Sequence, residues 1–231
     1  GTESMVIISQ PHNPAGRIWT ADELAELGAF CARHDLILLS DEIHQDLTMP
    51  GHSHVPAATA LGENVDRLVF MSAASKSFNI AGLRTGYVAI PGERLRARFA
   101  ALHAALDIAP NRFGMELTCA AYTDEGAAWL DALRDYIAGN ARVFLDGVNA
   151  IPGVSAMPMQ GTYLAWVDFA GTGMAAEEYR DRVQQQAKIA VNHGPTFGTG
   201  GESFLRFNFA TPRARVVEAV RRMQEAFSDL Q

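Results

Sequence analysis

A chain of 231 residues with 48% hydrophobic composition has apolar material for one large core or two modest ones. Its formal net charge of −7, with no block of Lys or Arg, argues against a nucleic-acid or anionic-membrane surface as the main partner. Cys31 and Cys119 lack CxxC or metal-type spacing, so both read as core thiols in a reducing, cytoplasmic compartment. No apolar run approaches the length of a membrane span, which leaves a small molecule as the expected partner.

In chain order, Met5 to Ser9 is a short apolar strand that runs into the turn-forming Gln10, Pro11, His12, Asn13, Pro14, Ala15 and Gly16. Only four residues precede it, so Gly1 reads as lying inside a domain. Thr20 and Glu23 form a capping box before a helix that ends near His34. Leu36 to Leu39 is a continuous apolar run, expected of a strand buried on both faces, and it leads into Ser40, Asp41, Glu42, Ile43 and His44. Strand, helix, strand predicts a right-handed parallel crossover. Arg67 to Met71 and Gly86 to Ile90 are further strands, and the pattern is α/β with a largely parallel sheet.

After Arg94 the sequence is helical through Ala105, breaks around Pro110, and resumes from Phe113 to about Asn149 with an interruption at Asp124 to Gly126. From Ile151 a smaller α+β lobe follows, with a strand at Thr162 to Phe169, a helix at Ala175 to Ala187 and a short strand at Ile189 to Val191. A strand at Phe204 to Ala210 and a last helix from Pro212 to Leu230 complete it. Tyr163 and Trp166 read as core aromatics of this lobe.

Asn13, Asp41 and Lys76 each follow the C-terminal end of a predicted strand, and open parallel sheets bind ligands at that edge. Lys76 sits among small and hydroxyl residues in SAASKSFNIAGLRT, with Arg84 eight positions on. A confined amine of this kind forms Schiff bases or acts as a general base. Taken singly, each residue has a plainer reading: Lys76 as a solvated loop lysine, Asp41 as a turn cap, Arg206 as an ion-pair partner.

The runs PHNPAGR, SDEIHQD, SKSFNIAGLRTG, GTYLAWVDF and FLRFNFATP, in this order, resemble the fold type I pyridoxal-phosphate enzymes. More narrowly they are similar to the MalY/PatB group of cystathionine β-lyases, neighbours of the class I and II aminotransferases. The resemblance implies an α/β large domain with a mostly parallel sheet, incomplete at its N-terminus, and a smaller C-terminal α+β domain. The corresponding boundaries are 1–106 for part of the cofactor-binding domain, 107–150 for linking helices and 151–231 for the small domain.

It further implies that Lys76 holds pyridoxal 5'-phosphate as a Schiff base and moves the substrate's α-proton, while Asp41 pairs with the pyridine nitrogen. Asn13 is implied to donate to the ring's 3-oxygen, and His44 to lie near the same oxygen or the ring. Arg84, with Ser75 and Ser72, is implied to grip the phosphate, and Arg206 the substrate α-carboxylate. The implied reaction is C–S cleavage of cystathionine or a related L-cysteine thioether, in a homodimer. An aminotransferase shares the first steps and stays open, as does a catalytically impaired fragment or a regulatory relative.

Relatives carry an N-terminal segment with phosphate-binding and ring-stacking residues that this chain does not display, and Ala73 stands where many carry serine. A rival reading from another class is a metal-dependent hydrolase, because Asp41, Glu42, His44, Asp46, His52 and His54 lie close together in sequence.

Overall fold

A computed structural model describes residues 4–230. The chain divides into two compact units, Gly1–His12 with Ile18–Ala132 and Asn13–Arg17 with Leu133–Gln231.

In the first unit, β1 (Met5–Ser9) leads through α1 (Ala21–Arg33) to β2 (Ile37–Asp41). The one-turn α2 (Ala57–Ala60) precedes β3 (Leu68–Ser72), and the one-turn α3 (Ala74–Ser77) precedes β4 (Tyr87–Ala89). The sheet order is β1-β2-β3-β4; the first three strands are parallel and β4 is antiparallel to β3. This is the α/β class with a parallel-rich sheet. Thr20 caps α1 in both directions: its hydroxyl accepts from Glu23 N at 3.2 Å and its own N–H donates to Glu23 Oε2 at 2.9 Å.

Strand alternation sets the core. Val6, Ile8, Leu38, Leu68 and Phe70 share one face and pack with Leu24, Cys31 and Leu61. The opposite face departs from expectation: Ile7 is 68% exposed, and Met71 and Val88 are well exposed. The Leu36–Leu39 run is therefore buried at Leu36 and Leu38, while Ile37 and Leu39 on the other face are half-buried. Leu38 has no exposed surface, and Leu38→Ala is expected to lower unfolding stability by about 2–5 kcal/mol, read from the shift of a urea midpoint.

Three helices follow: α4 (Glu93–Ala105), α5 (Arg112–Ala121) and α6 (Asp124–Asn149). The interruption read at Asp124 to Gly126 falls slightly earlier, at Tyr122 and Thr123. Cys31 is a core thiol as read, whereas Cys119 is exposed, because α5 buries only Gly114.

In the second unit, β5 (Ser155–Ala156), β6 (Leu164–Asp168), β7 (Asn192–His193) and β8 (Phe204–Asn208) form an antiparallel sheet of order β5-β6-β8-β7. Between β6 and β7 lies α7 (Ala176–Asp181), which continues as a π turn, and α8 (Arg213–Ala226) ends the unit. Phe144 of α6 packs on Phe207 and Phe209 at centroid distances of 5.2 and 6.0 Å. The strand read at Ile189–Val191 lies instead at Asn192–His193. Lys188 adopts a left-handed φ of 56°, and Ile189 N–H turns back to Val183 O, so pairing with β8 begins only at Asn192.

Residues 13–17 belong to this unit because Gly16 O accepts from Gln160 N at 2.8 Å and Gly161 N at 3.0 Å. Gly16 holds φ +73°, a conformation that glycine reaches without steric cost.

Candidate functional site

The register pairs Ser9 with Asp41 and Asp41 with Met71, so the three parallel strands end level and the loops after them leave from one edge. Asp41 is the last residue of β2, half-buried, and its Oδ1 accepts from Ile43 N at 3.1 Å. It thus caps the next turn, as the plainer reading of this residue has it.

After β3 the chain forms α3, which carries Ser75 and Lys76, both half-buried. A 3-10 turn at Ala81–Leu83 follows. Arg84 then takes φ +52°, a left-handed conformation uncommon for a residue with a side chain, and the chain turns back toward β4.

Asp41, Ser72, Ser75, Lys76 and Arg84 line one cleft of about 380 Å³, together with Thr85 and Tyr87, which the sequence reading missed. One carboxylate, one primary amine, several hydroxyls and one guanidinium are the donor set for a ligand carrying an aldehyde, a basic ring nitrogen and a phosphate. His44 is only 3% exposed in the turn after β2 and does not line this cleft.

Tyr87 accepts a hydrogen bond from Gln45 Nε2 at 3.1 Å, and its hydroxyl is 3.5 Å from that of Tyr122. Burial first, then the bond to Tyr87 and the charge of Asp46, push the Tyr122 phenol well above its ordinary pKa.

Two further sequence-predicted residues meet within the second unit. Arg206 donates from Nη1 to Asn13 Oδ1 at 2.9 Å and from Nη2 to Asn192 Oδ1 at 2.7 Å. Its guanidinium carbon lies 4.9 Å from the centroid of the Phe197 ring. Burial lowers the Arg206 pKa, with Tyr163 opposing, and burial raises that of Tyr163, with Arg206 opposing. Trp166 is a buried core aromatic, stacked on Phe204 at 4.9 Å. Asn192 and Phe197, 14 and 9 residues before Arg206, carry no motif that marks them in the sequence.

Among the residues between 41 and 54 that the metal-ligand reading names, Glu42, Asp46 and His54 have partners within the protein. Glu42 is buried and lies 2.6 Å from His54 Nε2, while Asp46 accepts from Ser77. Among the described residues, no three His, Cys, Asp or Glu side chains are grouped so as to hold a metal ion.

Residues 2–223 match the family model described as aminotransferase class I and II. The chain is 36% identical over 229 residues to cystathionine beta-lyase PatB of Bacillus subtilis, covering 97% of this chain and 58% of that protein. It is 32% identical over 220 residues to protein MalY of Escherichia coli, covering 94% and 55%. Among solved structures, cystalysin from Treponema denticola, which contains a pyridoxal 5'-phosphate cofactor, superimposes with a TM-score of 0.91 at 33% identity. That match covers 99% of this chain and 58% of cystalysin. The chain therefore spans little more than half the length of these relatives.

Proposed function

Because the chain belongs to the aminotransferase class I and II family, we propose that it serves a pyridoxal-phosphate-dependent C–S β-lyase. The substrate class is cystathionine or a related L-cysteine thioether, and with water the products are a thiol, pyruvate and ammonia. The observation that carries this reading is the shared cleft of Asp41, Ser72, Ser75, Lys76 and Arg84. The 36% identity to cystathionine beta-lyase PatB supports the lyase side.

The donor set fits the cofactor. Lys76 would hold its aldehyde carbon, Asp41 its ring nitrogen, and Arg84 with Ser75 its phosphate. When bound, pyridoxal phosphate supplies a protonated ring that takes up the electrons left on the substrate's α-carbon.

The chain's own residues do the rest. The Asp41 carboxylate keeps a proton on the ring nitrogen, and Nζ of Lys76 takes the proton from the substrate α-carbon. In the second unit, Arg206 holds the α-carboxylate in its planar fork, already oriented by Asn13, Asn192 and the Phe197 ring. On family likeness Asn13 remains assigned to the ring's 3-oxygen and His44 to the neighbourhood of that oxygen or the ring, although His44 does not itself line the cleft. A homodimer and a cytoplasmic location belong to the same proposal. No helix of the described residues is long and apolar enough to cross a membrane.

Transamination of an amino acid is the second reading, favoured by the description of the matched family itself. The deciding experiment incubates the full-length protein with pyridoxal phosphate and cystathionine and measures pyruvate and thiol together. Stoichiometric release of both is expected; exchange of the amino group to a 2-oxoacid with no thiol would transfer the assignment to the aminotransferase.

Arg206→Lys keeps the charge and loses the fork. It is expected to raise KM for the amino acid by roughly tenfold to a hundredfold, from the loss of one or two charge-assisted bonds, with a smaller change in kcat. Steady-state kinetics on cystathionine checks it.

A further inference from the structure

The helical turn that carries Lys76 has little to hold it from within. It is four residues long, its N-cap residue Ala73 offers no side-chain acceptor, and Asn79 beyond it takes φ +55°. A single helical turn is unstable on its own, since several dihedrals are fixed for one hydrogen bond. Its orientation must come from elsewhere.

Ser77, next to Lys76, is fully buried, and its hydroxyl donates to Asp46 Oδ2 at 2.7 Å, across 31 residues of sequence. At the other end of the same segment, Ser72 Oγ donates to the backbone oxygen of Glu42 at 3.2 Å. The segment is thus fastened at both ends to the turn that follows Asp41.

That turn is itself fixed. Gln45 N–H donates to Glu42 O and Leu47 N–H to His44 O, both at 2.9 Å. The fully buried Glu42 side chain accepts from Ser40 Oγ at 2.8 Å and Ala57 N at 3.0 Å. Adjacent residues of a helical turn point about 100° apart, so locking Ser77 inward sets the direction of Lys76.

Resting on the lyase reading, we infer that Asp46 and Ser77 are positioning residues, a pin that holds the Lys76 turn to the loop after β2. Neither touches the reacting atoms. A carboxylate suits the task because a charge-assisted bond is short and strong. Its removal leaves a buried hydroxyl without an acceptor. Asparagine preserves shape and acceptor, so Asp46→Asn is the conservative control.

The test compares the parent protein with Asp46→Ala, Ser77→Ala, the double variant and Asp46→Asn. The first readout is the rate at which pyridoxal phosphate attaches to Lys76, trapped by borohydride and located by peptide mass spectrometry. The second is kcat and KM for cystathionine, with thermal melts recorded alongside.

Asp46→Ala and Ser77→Ala are each expected to slow attachment and lower kcat on the order of tenfold to a hundredfold. The double variant is expected to be no worse than either single one, and Asp46→Asn to keep at least about a third of the parent's rate. Attachment rates within about twofold of the parent in Asp46→Ala would overturn the pin, and so would effects that simply add in the double variant. A parent that attaches cofactor at Lys76 but releases no thiol refutes the lyase assignment alone, because the attachment rates still decide the pin. A parent that attaches nothing at Lys76 refutes both.

Discussion

Lys76→Ala is expected to lower C–S cleavage by about four orders of magnitude and to abolish the borohydride-trapped attachment of pyridoxal phosphate. The size follows from the two duties proposed for this amine, which would hold the cofactor and move the α-proton. Stability is expected to stay within about 0.5 kcal/mol, because Lys76 is half-buried and its truncation leaves the Ser77–Asp46 bond intact. An absorption spectrum, a trapping assay and a thermal melt on one preparation separate these effects. Unchanged thiol release in the folded variant would remove Lys76 from the reaction.

The second large effect belongs to Asp41. Asp41→Asn keeps an oxygen for the Ile43 N–H, so the turn after β2 is expected to survive. Only the negative charge is lost, and with it the proposed means of keeping a proton on the ring nitrogen. The expected loss in kcat is two to three orders of magnitude, roughly that of removing a group aimed at developing charge. Trapping at Lys76 should persist in this variant, which distinguishes it from Lys76→Ala. If kcat stayed within about threefold of the parent, Asp41 would be a turn cap and nothing more.

Local signals made much of the first unit legible. The capping box at Thr20 and Glu23 depends on a spacing of three, and both of its bonds form. The apolar runs at Met5–Ser9, Leu36–Leu39 and Arg67–Met71 became three parallel strands, since short runs between turn residues have few other ways to bury themselves. Asp41 and Lys76 could be placed at one strand edge because each lies within a few residues of the end of such a run.

Other features were illegible for reasons of distance or degeneracy. Leu39 and Ile7 look as apolar as Leu38, yet burial of a strand depends on what packs on each face, and the face of Leu39 and Ile7 is the less covered one. Cys119 looks no different from Cys31 in composition, but its side of α5 is open. The strand at Asn192–His193 is polar and short, so its existence rests on pairing with β8.

The sequence by itself determined the family and pointed to a proposed set of reactive groups, because the chemistry of an amine, a carboxylate and two guanidiniums is carried by residue type and order. Only the tertiary structure decided how those groups are held. Asp46 finds Ser77 across 31 residues, and Arg206 finds Asn13 across 193 and Asn192 across 14. Such bonds have no local sequence signature, since each partner alone is an ordinary polar residue and its value comes from a neighbour that folding supplies.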